Sequence, residues 1–110
     1  MKENIIFELN EKNFQETLKK NNFVIVDFWA DWCSPCKQMS DIFLEVAKEL
    51  GKKVVFSKVN IDTCSSIAEK YNIRSIPSFL FFKYNKLIDT KIGMISAEKI
   101  KELIKKNFNT

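Results

Sequence analysis

Phe23-Val24-Ile25-Val26-Asp27-Phe28-Trp29-Ala30-Asp31-Trp32-Cys33-Ser34-Pro35-Cys36-Lys37 is the stretch that decides the fold. Phe23–Ala30 is a nearly continuous apolar run, the pattern of a strand covered on both faces. From Pro35 to Leu50, Met39, Ile42, Phe43, Val46, Ala47 and Leu50 recur at helical spacing and predict a long amphipathic helix, closed by Gly51 and two lysines. Cys33 therefore falls at a helix N-terminus, where unpaired N–H groups and the helix dipole favour an anion. A thiolate is the nucleophile of disulfide exchange, so this placement activates Cys33. Pro35 suits the first helical turn, where its missing N–H has no partner to lose. Cys36 lies close enough to close a disulfide or to resolve a mixed one.

Outward from this segment, the hydrophobic period keeps switching between strand and helix. Ile5–Leu9 reads as a short strand, and Asn10 as the cap of a helix over Glu11–Lys20 with Phe14 and Leu18 on one face. Lys53–Val59 is the next strand, and Asp62 or Thr63 caps a short helix ending near Tyr71. Pro77–Phe82 and Leu87–Ile92 form a hairpin around Lys83-Tyr84-Asn85-Lys86, with Asn85 in the left-handed conformation. Ser96 caps a last helix whose buried stripe is Ala97, Ile100, Leu103 and Ile104. The order βαβαβαββα predicts an α/β fold, a central mixed sheet flanked by four helices. With 110 residues and no linker or repeat, the chain reads as one domain over residues 1–110.

Composition narrows the chemistry. There is no histidine, which removes His-based acid–base catalysis, Cys-His nucleophile pairs and Cys/His zinc sites. Three cysteines are one short of a four-thiolate zinc site, and an odd number fits a secreted disulfide framework poorly. The bland reading of Cys33-Ser34-Pro35-Cys36 is half a metal site; its place at a strand-to-helix junction favours redox work. The net charge of +4 comes mainly from lysine, with Arg74 the single arginine, so the basic C-terminal end reads as a solvated face rather than a nucleic-acid surface. The N-terminal residues lack the apolar run of a secretory signal, and the longest apolar stretches are too short for a bilayer. These features predict a cytoplasmic protein without membrane or nucleic-acid binding.

Asp27 interrupts the apolar strand. Burial there raises its pKa toward neutrality, which suits a group that exchanges protons, and Lys58 on a neighbouring strand offsets part of the shift. The plainer reading is an aspartate at a strand end that reaches water. Cys64 shares helical spacing with Ile67, Ala68 and Tyr71 and reads as a packed thiol; the sharper reading is a regulatory thiol open to oxidation.

Val26–Lys37 resembles the active-site signature of the thioredoxin family, and the similarity extends over nearly the whole chain. Lys58-Val59-Asn60-Ile61-Asp62 is similar to the strand behind that signature, and Tyr71–Ser78 to the loop facing it. The resemblance implies that Cys33 attacks, Cys36 resolves, and the pair forms the redox-active disulfide. It implies that Asp27 and Lys58 manage the Cys36 proton. It implies that Pro77 is cis, and that Trp32, Ser34, Pro35, Ile76, Pro77 and Gly93 bind the substrate. It further implies a monomeric protein-disulfide reductase with no cofactor of its own. Electrons would come from NADPH through thioredoxin reductase, and targets would include ribonucleotide reductase, peroxiredoxin and methionine sulfoxide reductase. Against the family pattern, Ser34 replaces a glycine and adds a hydroxyl able to hydrogen-bond a thiolate; Asp41 replaces a helix-kinking proline and Asn85 a turn glycine. Two rivals remain. One is a thiol oxidase or isomerase of the same fold; the other is a non-catalytic module that binds through the apolar patch.

Overall fold

A computed structural model describes residues 5–109. The elements are β1 (Ile6–Glu8), α1 (Phe14–Lys20), β2 (Phe23–Trp29), α2 (Ser34–Leu50), β3 (Val55–Asn60), α3 (Ser65–Lys70), β4 (Ser78–Lys83), β5 (Lys86–Ile92) and α4 (Ala97–Phe108). This is the expected order βαβαβαββα. The sheet runs β1-β3-β2-β4-β5, with β3 parallel to both β1 and β2, and with β4 antiparallel to β2 and β5. The mixed sheet and four helices match the expected α/β architecture.

Strand period two sorts β2 between two cores. Val24, Val26 and Phe28 join Phe14 and Leu18 of α1 and Ile67 of α3, together with Leu80 and Phe82 of β4. Ile25 points the other way, into a cluster with Met39 and Phe43 of α2, Phe56, Phe79 and Phe81 of the sheet, and Ile100 and Phe108 of α4. Asp27 follows Ile25 on that second face, under the helix that carries Cys36. Phe28, Phe43, Phe56, Phe79, Phe81, Phe82 and Phe108 are among the largest fully buried side chains, so aromatic burial supplies much of the driving force.

The structure corrects several boundaries. Asn10 does not cap α1: its side chain accepts from the Lys12 and Asn13 N–H groups and folds Asn10–Asn13 into a turn, so the helix starts at Phe14. Neither Asp62 nor Thr63 caps α3; Cys64 holds that position, and Asp62 is engaged elsewhere. The hairpin turn is tighter than expected, with Tyr84 and Asn85 both at positive φ, a pairing that matches the twist of the two strands. Ser96 caps α4 by accepting from the Lys99 N–H; of the expected stripe Ile100, Leu103 and Ile104 are buried and Ala97 half-buried, and Phe108 extends it.

Candidate active site

The site forms where β2 ends and α2 begins. Cys33 is the N-cap of α2, with its Sγ accepting from the Cys36 N–H at 3.2 Å. The two cysteines are joined in a disulfide, with Cα atoms 5.2 Å apart. Both are buried and pack with Ala30, against which Trp29, Ile61 and Ile76 are partly buried. A sulfur at this helix end meets an inward-pointing N–H, the environment that favours its anionic form once the disulfide is reduced.

Behind the disulfide lies a cavity of about 100 Å³ lined by Asp27, Trp29, Cys36, Lys37, Ser40 and Lys58. Asp27 is 5 % exposed, and its Oδ1 has no protein hydrogen-bond partner. Burial pushes its carboxyl up to about 7, while the positive charge of Lys58 pulls it part of the way back. Lys58 is opposite Asp27 in the parallel β2–β3 register, and its ammonium lies 4.9 Å from the centre of the Trp29 ring. A carboxyl that changes charge near neutrality, sharing a cavity with one of the two sulfurs, can take or give the proton that thiol chemistry requires.

Opposite the thiols runs the loop into β4. The Ile76–Pro77 peptide bond is cis, as the resemblance implied. Gly93 donates its N–H to the Pro77 carbonyl at 2.8 Å, at a φ of +95° that side chains rarely tolerate. This bond ties the end of β5 to the start of β4 beside the disulfide.

The family model for thioredoxin matches residues 5–106. The chain belongs to the thioredoxin family. It is 42 % identical over 107 residues to the thioredoxin of Buchnera aphidicola subsp. Acyrthosiphon pisum, covering 96 % of this chain and 99 % of that one. The Rickettsia bellii thioredoxin is 42 % identical over 100 residues, covering 90 % and 95 %. That of Mycoplasmoides gallisepticum is 43 % identical over 96 residues, covering 87 % and 95 %. A thioredoxin of this kind is a thiol–disulfide oxidoreductase and protein-disulfide redox carrier that works through its own disulfide on disulfide-containing proteins.

Of the residues singled out from the sequence, the fold gathers Asp27, Lys58 and Cys36 around one cavity, and Ile76 against the two cysteines. Ser34 and Pro35 are exposed at the start of α2, and the buried Pro77 lies in the facing loop, its carbonyl bonded to Gly93 after β5. In the disulfide, the donor on Cys33 Sγ is the Cys36 backbone N–H. Trp32 is 66 % exposed and is held by its indole N–H, which donates to Asp62 Oδ2 at 2.9 Å. Cys64 is buried, as the packed reading expects. No helix is long and apolar enough to cross a membrane among the described residues.

Sequence reasoning missed the contact of Asp62 with Trp32, the place of Trp29 in the cavity lining, and the exposed Ile92 and Met94 flanking Gly93. Register holds the signal for Asp62. Trp29 pairs with Asn60, so continuing both strands brings Asp62 toward Trp32. For Trp29 the signal is the period-two step from Asp27.

Proposed function

We propose that the protein reduces disulfides of cytoplasmic target proteins and is itself re-reduced by thioredoxin reductase, with NADPH as the distant electron source. The observation that supports this most is the titratable, buried Asp27 sharing a cavity with Cys36 behind a disulfide capped on a helix. In the reduced protein, the Cys33 thiolate attacks one sulfur of the target disulfide. A Cys33–target bond forms, the target S–S bond breaks, and the other target sulfur leaves and is protonated from solvent. Asp27 then takes the proton of the Cys36 thiol, with Lys58 favouring the charged carboxylate. The Cys36 thiolate attacks Cys33 Sγ, the second target sulfur leaves, and two electrons have passed to the target.

Trp32, Ser34, Pro35, Ile76, Pro77 and Gly93 make the surface on which an extended target segment lies. The chain acts as one domain and as a monomer. Ribonucleotide reductase, peroxiredoxin and methionine sulfoxide reductase are the target classes that this reading includes.

Trapping tests the reading. Cys36→Ser should accumulate a mixed disulfide with a disulfide-bonded target, and Cys33→Ser should accumulate none and show no turnover with NADPH and thioredoxin reductase. Cellular function surviving in Cys33→Ser, with turnover lost, would leave the rival of a module that binds without catalysis. An equilibrium that oxidises rather than reduces target dithiols would favour the oxidase or isomerase.

A further inference from the structure

We propose that the end of the molecule opposite the disulfide docks on an anionic lipid bilayer surface, with the tip of the β4–β5 hairpin entering the headgroup layer and the disulfide left facing solution. The proposal stands apart from the proton chemistry at Cys36.

Along the sequence these lysines read as a solvated face; the fold gathers six of them. β2 enters the sheet at Phe23 and ends at Trp29 beside the disulfide, so its two ends lie about 20 Å apart. Three segments meet around Phe23. Lys83 is opposite Phe23 in the β2–β4 register and Lys86 is opposite Lys83, while the Tyr84 N–H donates to the Asn22 carbonyl at 2.8 Å. The Phe108 ring stacks on Phe23 at 4.9 Å and brings the last turn of α4, with Lys105 and Lys106, to the same end. Lys52 and Lys53, just past α2, border a cavity of about 300 Å³ with Phe23. The ion pairs among the described residues are Lys20 with Glu16, Lys99 with Glu102 and Lys101 with Glu49, so none takes any of the six. Lys105 and Lys106 complement the dipole of α4, but Lys83 and Lys86 stand on strands, where no helix dipole calls for them.

The hairpin tip adds an apolar element to this charge. Tyr84 is exposed between Lys83 and Lys86, and Leu87 and Ile88 are exposed just after them. A register irregularity leaves Ile88 without a partner in β4, on an outer strand of the sheet. An aromatic ring with a polar end and two aliphatic side chains among lysines suit the boundary of a bilayer. The apolar groups leave water while the ammonium groups stay with the anionic headgroups. A nucleic acid offers phosphates but no apolar layer for Leu87 and Ile88, and its recognition favours arginine, which none of these positions carries.

Co-sedimentation of the oxidised protein with vesicles tests this. It should bind vesicles of phosphatidylcholine with phosphatidylglycerol at low salt, and not phosphatidylcholine alone. A lysine at an anionic surface is worth roughly fivefold in partitioning, so Lys86→Gln/Lys106→Gln should bind roughly 25-fold more weakly. Lys12, beyond the end of the parallel β1, and Lys37, in the first turn of α2, lie at the disulfide end. Lys12→Gln/Lys37→Gln removes the same charge more than a screening length away and should bind within about twofold of the parent. Tyr84→Asn/Leu87→Ser/Ile88→Ser keeps the charge, with asparagine suited to the left-handed backbone at 84, and should lose roughly tenfold. The Lys86/Lys106 and tip variants should keep the parent's disulfide exchange in solution. Both tryptophans, Trp29 and Trp32, lie at the disulfide end, so brominated lipid should leave the fluorescence of the bound protein unquenched. No sedimentation with the anionic vesicles, quenched tryptophans, or tighter binding to a DNA duplex than to the vesicles would each overturn the proposal without any variant. Equal losses in the two lysine variants would also overturn it.

Discussion

Ile25 and Asp27 occupy successive positions on the same face of β2, both almost wholly hidden, in opposite surroundings. Ile25 sits among Phe43, Phe56, Phe79 and Phe81, where removing apolar surface from water is pure gain. Asp27, one inward position further, carries a carboxyl into the same layer with one oxygen unpartnered. The strand thus gives up part of its stability at the end that faces Cys36. With the proposed role of Asp27, stability and chemistry are divided along the seven residues of β2, and substitutions at the two positions should move them independently.

The largest effect is expected on rate. Asp27→Asn removes the proposed proton acceptor, and resolution of a mixed disulfide by Cys36 should fall by roughly 10²–10⁴-fold, the usual worth of a positioned general base. The same change should raise stability at alkaline pH. With a folded value of about 7 against 3.8 for an ordinary aspartate, the native protein holds the Asp27 proton more tightly than the unfolded chain. The penalty for burying Asp27 is therefore absent below about pH 4, grows between pH 4 and 7, and reaches on the order of 4 kcal/mol above that. Urea unfolding of the oxidised protein should show this decline in the parent and lack it in Asp27→Asn.

Ile25→Ala is the converse. It should cost about 2–5 kcal/mol of stability through lost burial and a residual cavity, read by urea unfolding. The folded variant should keep its rate of disulfide exchange. A large loss of rate without unfolding would dissolve the contrast, because the apolar part of the strand would then be tuning the site.

Much of this contrast is legible in the sequence, since a two-residue period puts 25 and 27 on one face and the CxxC segment puts Cys36 on the helix above them. Lys58 is legible too, as a charge in the neighbouring apolar strand. What is not legible depends on how strands align. Only the pairing of Trp29 with Asn60 brings Asp62 to Trp32, across 30 residues of sequence. Asp62 therefore passes for a helix cap, a role that its residue type suits equally well. Asn10 misleads in the same way, because its side chain serves a turn before the helix as readily as the helix itself.

Two smaller effects bear on the same contrast. Lys58→Met should move the Asp27 titration above about 7, since a charge that favours the carboxylate is gone, and NMR titration of the side chain would read it. Asp62→Ala removes the acceptor of the exposed Trp32 indole and should cost about 1 kcal/mol or less, with a modest rise in KM for a protein disulfide.

If the buried carboxyl of β2 governs the second step of disulfide exchange, its titration must appear in the rate of that step. The decisive experiment is the single-turnover rate of target release from a preformed Cys33 mixed disulfide, followed from about pH 5 to 9 in the parent and in Asp27→Asn. The parent rate should rise through an inflection near the Asp27 value of about 7, and the variant should show a slower profile without that inflection. Superimposable profiles would mean that Asp27 plays no part in releasing the target.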